Sequence, residues 1–472
     1  MDFVSAIRDV LQIDPDARAL VFERHWLTYA AIVRAVDVVD RQLAGAGVGR
    51  GTTVAAVLPN CPAGVVAVLA VMFRNACIVP LSPRRADADL ATVQPVAAVI
   101  RPASDDAASL AWTVEKGAPD APRREGVAAL LATAGTTGPP KRIPVTYASI
   151  DASLAGTRSK AGRKGRSGLR DDVTIVCFPL AHLSGLVPLL ITMLTGRRVA
   201  LMSKFEPRGA AAIVKEHGIT SLALNPTAIA MLLDTDLDPA DLASLRFMRS
   251  GSAPLSPDLT AAVEDRFGVK VMQAYGQTET GGEVIGWSPQ EWDEFGAAKR
   301  GSVGRAHPGI EVDIREPGGS AGDGGLAAGE AGELWLRGVR GHDGWHRTGD
   351  IARVDDDGFV WLVGRADDII VCGGFKIAPL AVEHVLERHP AIHEAAVVGT
   401  PDRRLGEAPV AVVVERAGAS VTDEELDAWC RDQLEPYQLP RRYARVPALP
   451  RNDAGKVHRP SIREHALTAV AQ

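Results

Sequence analysis

"VTIVCFPLAHLSGLVPLLITML", Val173–Leu194, sets two kinds of apolar run back to back. The first, "VTIVCFP", is short, β-branched and ended by proline, which suits a strand buried on both faces. The second, "GLVPLLITML", reads as a helix. The turn between them carries His182 and Ser184 at the strand's carboxyl end. The same couplet recurs on either side. Upstream, "TVAAVLP" precedes "AGVVAVLAVMF"; downstream come "ITSLALNP" with "TAIAMLL", "LRFMRS" with "SPDLTAAVEDRF", and finally "VKVMQAYG". Such alternation from about Thr53 to Gly276 predicts α/β layers with parallel sheets. In those sheets ligands gather beyond the carboxyl ends of strands, so the turns there are the candidate site.

Past Gly301 the texture changes to short strands and turns, "GIEVDIRE", "GELWLRG" and "DIARVDDDGFVWLVGR", with Asp356-Asp357-Gly358 as a hairpin turn. This predicts an antiparallel, barrel-like region. A third texture begins near Asp367: a helix "PLAVEHVLERH", strands "HEAAVVGTP" and "EAPVAVVVER", and a helix "TDEELDAWCRDQL". The expected architecture is therefore α/β, with a large multi-subdomain N-terminal domain over residues 1–366 and a small α+β C-terminal domain over 367–472.

With 472 residues, 46% hydrophobic and 23% charged, the chain has the composition of a globular protein of several subdomains. A net charge of −6 gives no electrostatic reason to expect nucleic acid as a partner. The start, "MDFVSAIRDVLQIDPD", lacks the basic opening and apolar run of a secretion signal. The longest apolar runs fall short of the roughly 20 residues of a membrane span. Cys61, Cys77, Cys177, Cys372 and Cys430 are scattered without metal-binding spacing and read as thiols in a reducing cytoplasm. "GAGVGRG", Gly45–Gly51, follows a helix-like run and precedes a strand, the reverse of a dinucleotide fingerprint, so it reads as a turn. His342 and His346 flank Gly344, and His384, His389 and His393 surround a helix end, where they are expected to face water; no metal site is assigned to them.

"LLATAGTTGPPKRIP", Leu130–Pro144, follows an apolar strand with Thr133, Gly135, Thr136, Thr137, Gly138 and Lys141. Glycine admits close approach, threonine supplies hydroxyl donors and lysine a cation, a set that suits polyphosphate. It is not a Walker loop, because Lys141 follows Pro140 and precedes Arg142. By itself this turn is equally a solvated loop.

The turn is one of nine motifs in a fixed order: "TAGTTGPPK", "PLAHLSG", "RSGSAPL", "AYGQTE", "GSVGRAHPG", "GELWLRG", "WHRTGD", "GRADDIIVCGGFKIAP" and "PRNDAGKVHR". Through them essentially the whole chain resembles the adenylate-forming superfamily of acyl- and aryl-CoA synthetases, nonribosomal adenylation domains and beetle luciferases. The resemblance implies a stand-alone ATP-dependent carboxylic acid–CoA ligase that uses ATP, magnesium (Mg2+) and CoA. It implies that the loop of Thr133, Gly135, Thr136, Thr137, Gly138 and Lys141 holds the β- and γ-phosphates, and that Lys456 bridges the substrate carboxylate and the α-phosphate. Two anions that repel must be brought together, and a lysine on a long stem can reach both.

The resemblance further places Thr278 at the α-phosphate, Glu279 on magnesium and Tyr275, next to Gly276, against adenine. Asp350 and Arg365 fall on the ribose. Gly251, Ser252 and Ala253 line the adenine and acyl pocket, whose other walls are Ser184, Asn225, Ser250 and His182. His182 stands at a gate near the carboxylate, or is simply a core histidine. Asp367 matches the hinge about which the small domain swings, bringing Gly373, Gly374 and Lys376 to the pantetheine tunnel. Asn225 and "FMRSGSAPLSP" point to a small or aromatic, partly polar acid.

The chain departs from the pattern at Ala134, where serine is usual, and in two shortened segments, between "LRG" and "DGWHRTGD" and from Pro83 to Glu125. A separate carrier protein is the alternative acceptor, and a nucleotide-binding pseudoenzyme the remote one. The basic run "TRSKAGRKGRSGLR" reads as a solvated loop, or as a grip for CoA phosphates.

Overall fold

The computed structural model of the chain describes residues 2–84, 86–93, 95–104, 106–133, 141–151, 168–320, 324–339, 343–452 and 455–471. The predicted couplets form, but they are shared among three sheets. In the first, the strands Thr53–Val57, Cys77–Leu81, Ala98–Pro102 and Val127–Thr133 run parallel, and Trp112–Lys116 and Lys141–Thr146 close the edges antiparallel. The helix Pro62–Phe73 is buried from Pro62 to Met72, which is why "AGVVAVLAVMF" has no polar face. In the second sheet, Arg18–Phe22, Arg198–Leu201 and Val173–Val176 are parallel and His25–Thr28 is the antiparallel edge. In the third, Ser221–Leu224, Phe247–Ser250 and Lys270–Gln277 are parallel, and then the chain turns back through Gly282–Gly286 to Arg305–Ala306. The antiparallel edges were not expected. The edges Trp112–Lys116, Lys141–Thr146 and His25–Thr28 and the strand Gly282–Gly286 follow their partners by short connections, whereas another parallel neighbour would have needed a long crossover.

The region after Gly301 is a four-stranded antiparallel sheet of Glu311–Arg315, Gly332–Arg337, His346–Val354 and Val360–Arg365. Its hairpin turn is set by Asp355, whose carboxylate accepts the backbone N–H groups of Asp357 and Phe359, and by Gly358 at φ +80°. Beyond it, the small domain has its own sheet, Phe375–Ile377, Ile370–Cys372, Gly406–Glu415 and Ile392–Asp402, with Tyr443–Arg445 beside Gly406–Glu415. The helices Pro379–Glu387 and Asp423–Arg431 cover one apolar face and Arg459–Ala471 the other. All five cysteines are free and buried. Among the described residues no helix is long and apolar enough to cross a membrane.

His384, His389 and His393 do not face open water. His384 and His393 line a cleft, with burial lowering the His384 pKa, and the His389 ring stands edge-on to Trp429 at 5.1 Å. Glu387, at the end of the same helix, has its pKa raised to about 8, first by burial and then by Glu383. A carboxyl held above its ordinary value favours the fold below pH 4.5, and that contribution is lost as pH rises towards 8. Glu387→Gln should therefore raise Tm at pH 8.5 and leave it nearly unchanged at pH 5, as read by thermal unfolding at the two pH values.

Candidate active site

Where the strand ends of the large domain meet the small domain lies a cleft of about 2450 Å³, lined from both sides. A pocket for one small ligand needs about 300–1,000 Å³, so this one has space for more than one reactant. Asp350, on the strand His346–Val354, is its best-anchored charge. The Tyr275 hydroxyl donates to Oδ2 at 2.6 Å, Gln277 Nε2 donates to the same oxygen, and Arg365 Nη1 donates to Oδ1 at 3.0 Å. The strand ladder places Asp350 directly opposite Arg365. A carboxylate accepts about four hydrogen bonds, so three fix its position and acceptor capacity remains for a ligand hydroxyl. Burial and the Asp350 charge push the Tyr275 pKa up, keeping its hydroxyl a donor. Burial would lower Arg365, but Asp350 outweighs it and the guanidinium stays charged.

Lys456 enters from the small domain on a tight turn. Asn452 Oδ1 accepts the Lys456 N–H at 3.0 Å, Arg451 Nη1 donates to the Gly455 carbonyl at 2.9 Å, and Gly455 adopts φ +75°. Thr227 of the large domain reaches the same carbonyl at 3.5 Å. Lys456 keeps contact with the solvent of the cleft, yet the surrounding protein lowers its pKa; Asp350 and Glu279 pull it back up, and Arg365 opposes them. These groups from two domains therefore feel one another's charge across one space.

The turn "AYGQTE" shapes the middle of the cleft. Thr280 Oγ1 accepts the Gln277 N–H at 2.9 Å and donates to the Gly282 carbonyl at 2.7 Å, pinning a bend on which Thr278 and Glu279 line the cleft. A Cβ on Gly276 would lie 2.0 Å from the Gly282 oxygen, so glycine alone fits there. Gly251, Ser252 and Ala253 follow the strand Phe247–Ser250, with Ser252 in the left-handed region at φ +72°, strained for a residue other than glycine. Ser250 is 2% exposed and its hydroxyl has no partner.

His182, Ser184 and Asn225 also line the cleft. Asn225 Oδ1, however, caps the helix Pro226–Leu233 by accepting the Ala228 N–H at 2.8 Å, which leaves only its amide nitrogen for the cleft, near Gly455. Asp367 lines the edge, in the short turn Ala366–Asp368 that leads into the small domain. Gly373, Gly374 and Lys376 do not join the others: they sit exposed on the hairpin of Ile370–Cys372 and Phe375–Ile377, outside the cleft lining. Ala134, Gly135, Thr136, Thr137 and Gly138, and the basic run from Arg158 to Arg166, lie outside the described residues. Thr133 and Lys141 are described in backbone only, paired across an antiparallel ladder.

Sequence reasoning missed Gln277 and three charged or titratable residues of the cleft wall, Arg249, Glu283 and His307. The available signal was a lone charge in an otherwise apolar or small strand, in "FMRS" and in "GEVIG".

The AMP-binding enzyme family matches residues 7–99 and 86–342, and the AMP-binding enzyme C-terminal domain matches residues 381–456. The chain belongs to this family. Sulfoacetate–CoA ligase of Cupriavidus necator is 33% identical, over 94% of this chain and 93% of its own. The o-succinylbenzoate CoA synthetase of Bacillus subtilis with its acyl-adenylate intermediate OSB-AMP matches at TM-score 0.80 and 27% identity, over 97% of each chain. The same enzyme with ATP and magnesium ion matches at TM-score 0.80 and 26% identity, over 98% of this chain and 99% of that one. The chain is an acid–thiol ligase of the AMP-forming kind, joining an acid to coenzyme A at the expense of ATP through an acyl-adenylate. The cleft fits nucleotide: a backbone cradle closed to any side chain at Gly276, a buried Ser250 hydroxyl without a partner, and a fixed carboxylate with spare acceptor capacity.

Gly276→Ala must displace backbone, not a flexible side chain. ATP–pyrophosphate exchange should fall at least about a hundredfold, the scale of a misplaced reacting group, while circular dichroism still shows a folded chain.

Proposed function

We propose that the enzyme forms the acyl-adenylate with its domains arranged as they stand here, and then rotates the small domain about Asp367 to form the thioester. The observation that carries this is the placement of Lys456. It projects from the small domain into the space shared by Asp350, Arg365 and Glu279, close enough for their charges to act on its pKa, while Gly373, Gly374 and Lys376 of the same domain stand outside. Lys456 neutralises the repulsion between the incoming carboxylate and the α-phosphate. Asp350 and Arg365 hold the ribose, with Tyr275 and Gln277 fixing Asp350. Thr278 meets the α-phosphate, and Thr133, Lys141 and the glycines between them take the β- and γ-phosphates. Glu279 would hold magnesium, which as a hard cation prefers carboxylate and phosphate oxygens and supplies countercharge.

The same Lys456 would obstruct a thiol, so the second step needs it removed and the Gly373–Gly374 hairpin brought in. The acceptor we assign is CoA, and the acid we assign is a small, partly polar one. Work in the cytoplasm fits five cysteines that are all free.

Lys456→Ala should lower ATP–pyrophosphate exchange at least about a hundredfold, yet leave conversion of a supplied acyl-adenylate to thioester within a fewfold of wild type. Equal loss in both half-reactions overturns the rotation. Because the ammonium is the working form and its pKa is lowered, adenylation should also decline as pH rises on a limb below 10.5 that the thioester step lacks. Rate profiles for the two half-reactions between pH 7 and 10.5 would show it.

A further inference from the structure

Gly276 stands opposite Glu283 in the ladder between Lys270–Gln277 and Gly282–Gly286, whereas Tyr275 stands opposite Ile285. The register shifts between Tyr275 and Gly276, so the two pairs stand on either side of a bulge, and the hydrogen bonds of Glu283 are made apart from the Tyr275–Asp350–Arg365 network. Arg249 Nη2 donates to both Glu283 oxygens, at 2.6 and 2.8 Å, and the buried His307 Nε2 lies 3.1 Å from Oε1 without completing a hydrogen bond. Their side chains are 35%, 31% and 21% exposed, and that exposure is to the cleft, which all three line. Burial would raise the Glu283 pKa, but Arg249 and His307 outweigh it and hold it at about 2, so the group is a carboxylate throughout the working range.

The backbone is shaped to seat this cluster. A Cβ on Gly286 would lie 2.2 Å from Glu283 Oε1 and 3.1 Å from His307 Nε2. Gly286 is not in the left-handed region, so the need for glycine there is one of space alone. Both contacts to Glu283 use Nη2, and among the described residues Nη1 and Nε of Arg249 have no partner. Donors thus stand free on a guanidinium whose position is fixed. An apolar tail would strip water from these groups and return nothing. An ammonium tail would meet a carboxylate that the Arg249 guanidinium already neutralises. An oxyanion would meet free guanidinium donors held in place from behind.

We infer that Arg249 is a specificity-determining residue that binds a second oxyanion, carboxylate or sulfonate, at the far end of the acid, with Glu283 and His307 as its positioning residues. The substrate class is then a short acid with an acidic group at each end. The inference rests on the adenylation reading above and adds the nature of the tail.

The test is ATP–pyrophosphate exchange by the full-length enzyme over acids of matched length: butanoate, succinate, 3-sulfopropanoate and 4-aminobutanoate. Wild type should favour succinate or 3-sulfopropanoate over butanoate by at least about tenfold in kcat/KM, chiefly through KM, the scale of one hydrogen bond to a charged group. Which of the two leads tells carboxylate from sulfonate. Arg249→Met with Glu283→Gln, changed together so that no carboxylate is left unpaired, should bring that ratio to within about threefold. Glu283→Gln alone, a milder change, should raise KM for the two-ended acid with little effect on kcat, and Arg249→Lys should retain part of the preference. Exchange that favours butanoate or 4-aminobutanoate in wild type, or a double variant that loses all acids in equal proportion, overturns the assignment and leaves adenylation standing. Absence of exchange with every acid overturns both.

Discussion

Two anions have to meet in the reaction of an acyl-adenylate former, and the cation proposed to let them meet is carried by a different domain from the groups proposed to hold the nucleotide. Lys456 sits on the small domain; Asp350, Arg365 and Glu279 sit on the large one. Only the apposition of the two surfaces places the four within electrostatic reach. Protein on both sides lowers the lysine pKa and the carboxylates restore part of it, so the ammonium is held by its surroundings, not by a dedicated ion pair. That suits a charge which, under the proposed rotation, has to leave: a lysine locked in a buried salt bridge would cost several kcal/mol to withdraw.

The fixed side of the cleft is built in the opposite way. Asp350 is tied by Arg365 on the paired strand and by Tyr275 and Gln277 on a strand of another sheet, so its position is set by two sheets and not by loop conformation. The rotation proposed above would move one wall against another that is fixed. The glycine at 276 serves the same division, since it brings two strands of one hairpin within a distance that admits no side chain.

Much of this was legible in the sequence. The strand–helix couplets show in residue type and spacing, and Tyr275, Glu279, Asp350, Arg365 and Lys456 fall on motifs whose order is distinctive. What was not legible is long-range. Couplets look alike whether they share one sheet or three, because pairing partners such as Arg18–Phe22 and Arg198–Leu201 are set by contacts far apart in sequence. The type of Asn225 was readable but its orientation was not: its oxygen goes to the helix behind it, a cap that any Asn before Pro could make. Arg249 and Glu283 escaped because a single charge in a short strand reads as a solvent-facing position. Only the fold, which sets Glu283 beside Arg249 from another strand, shows both in the cleft wall.

A register shift then separates two clusters on one hairpin. Tyr275 and Gly276 are neighbours in sequence but lie on either side of the register shift, so the Asp350 network and the cluster at Glu283 share a backbone without sharing a hydrogen bond. Changes at Arg249, Glu283 or His307 can therefore alter which acid is accepted while Asp350 stays where it is. Such changes are constrained among themselves. Removing Arg249 alone leaves Glu283 ionised in a half-buried wall, and removing Glu283 alone frees a guanidinium with no anchor. The inexpensive route from one tail chemistry to another is to replace both together, and Gly286, kept open for the carboxylate, is then free to take a side chain.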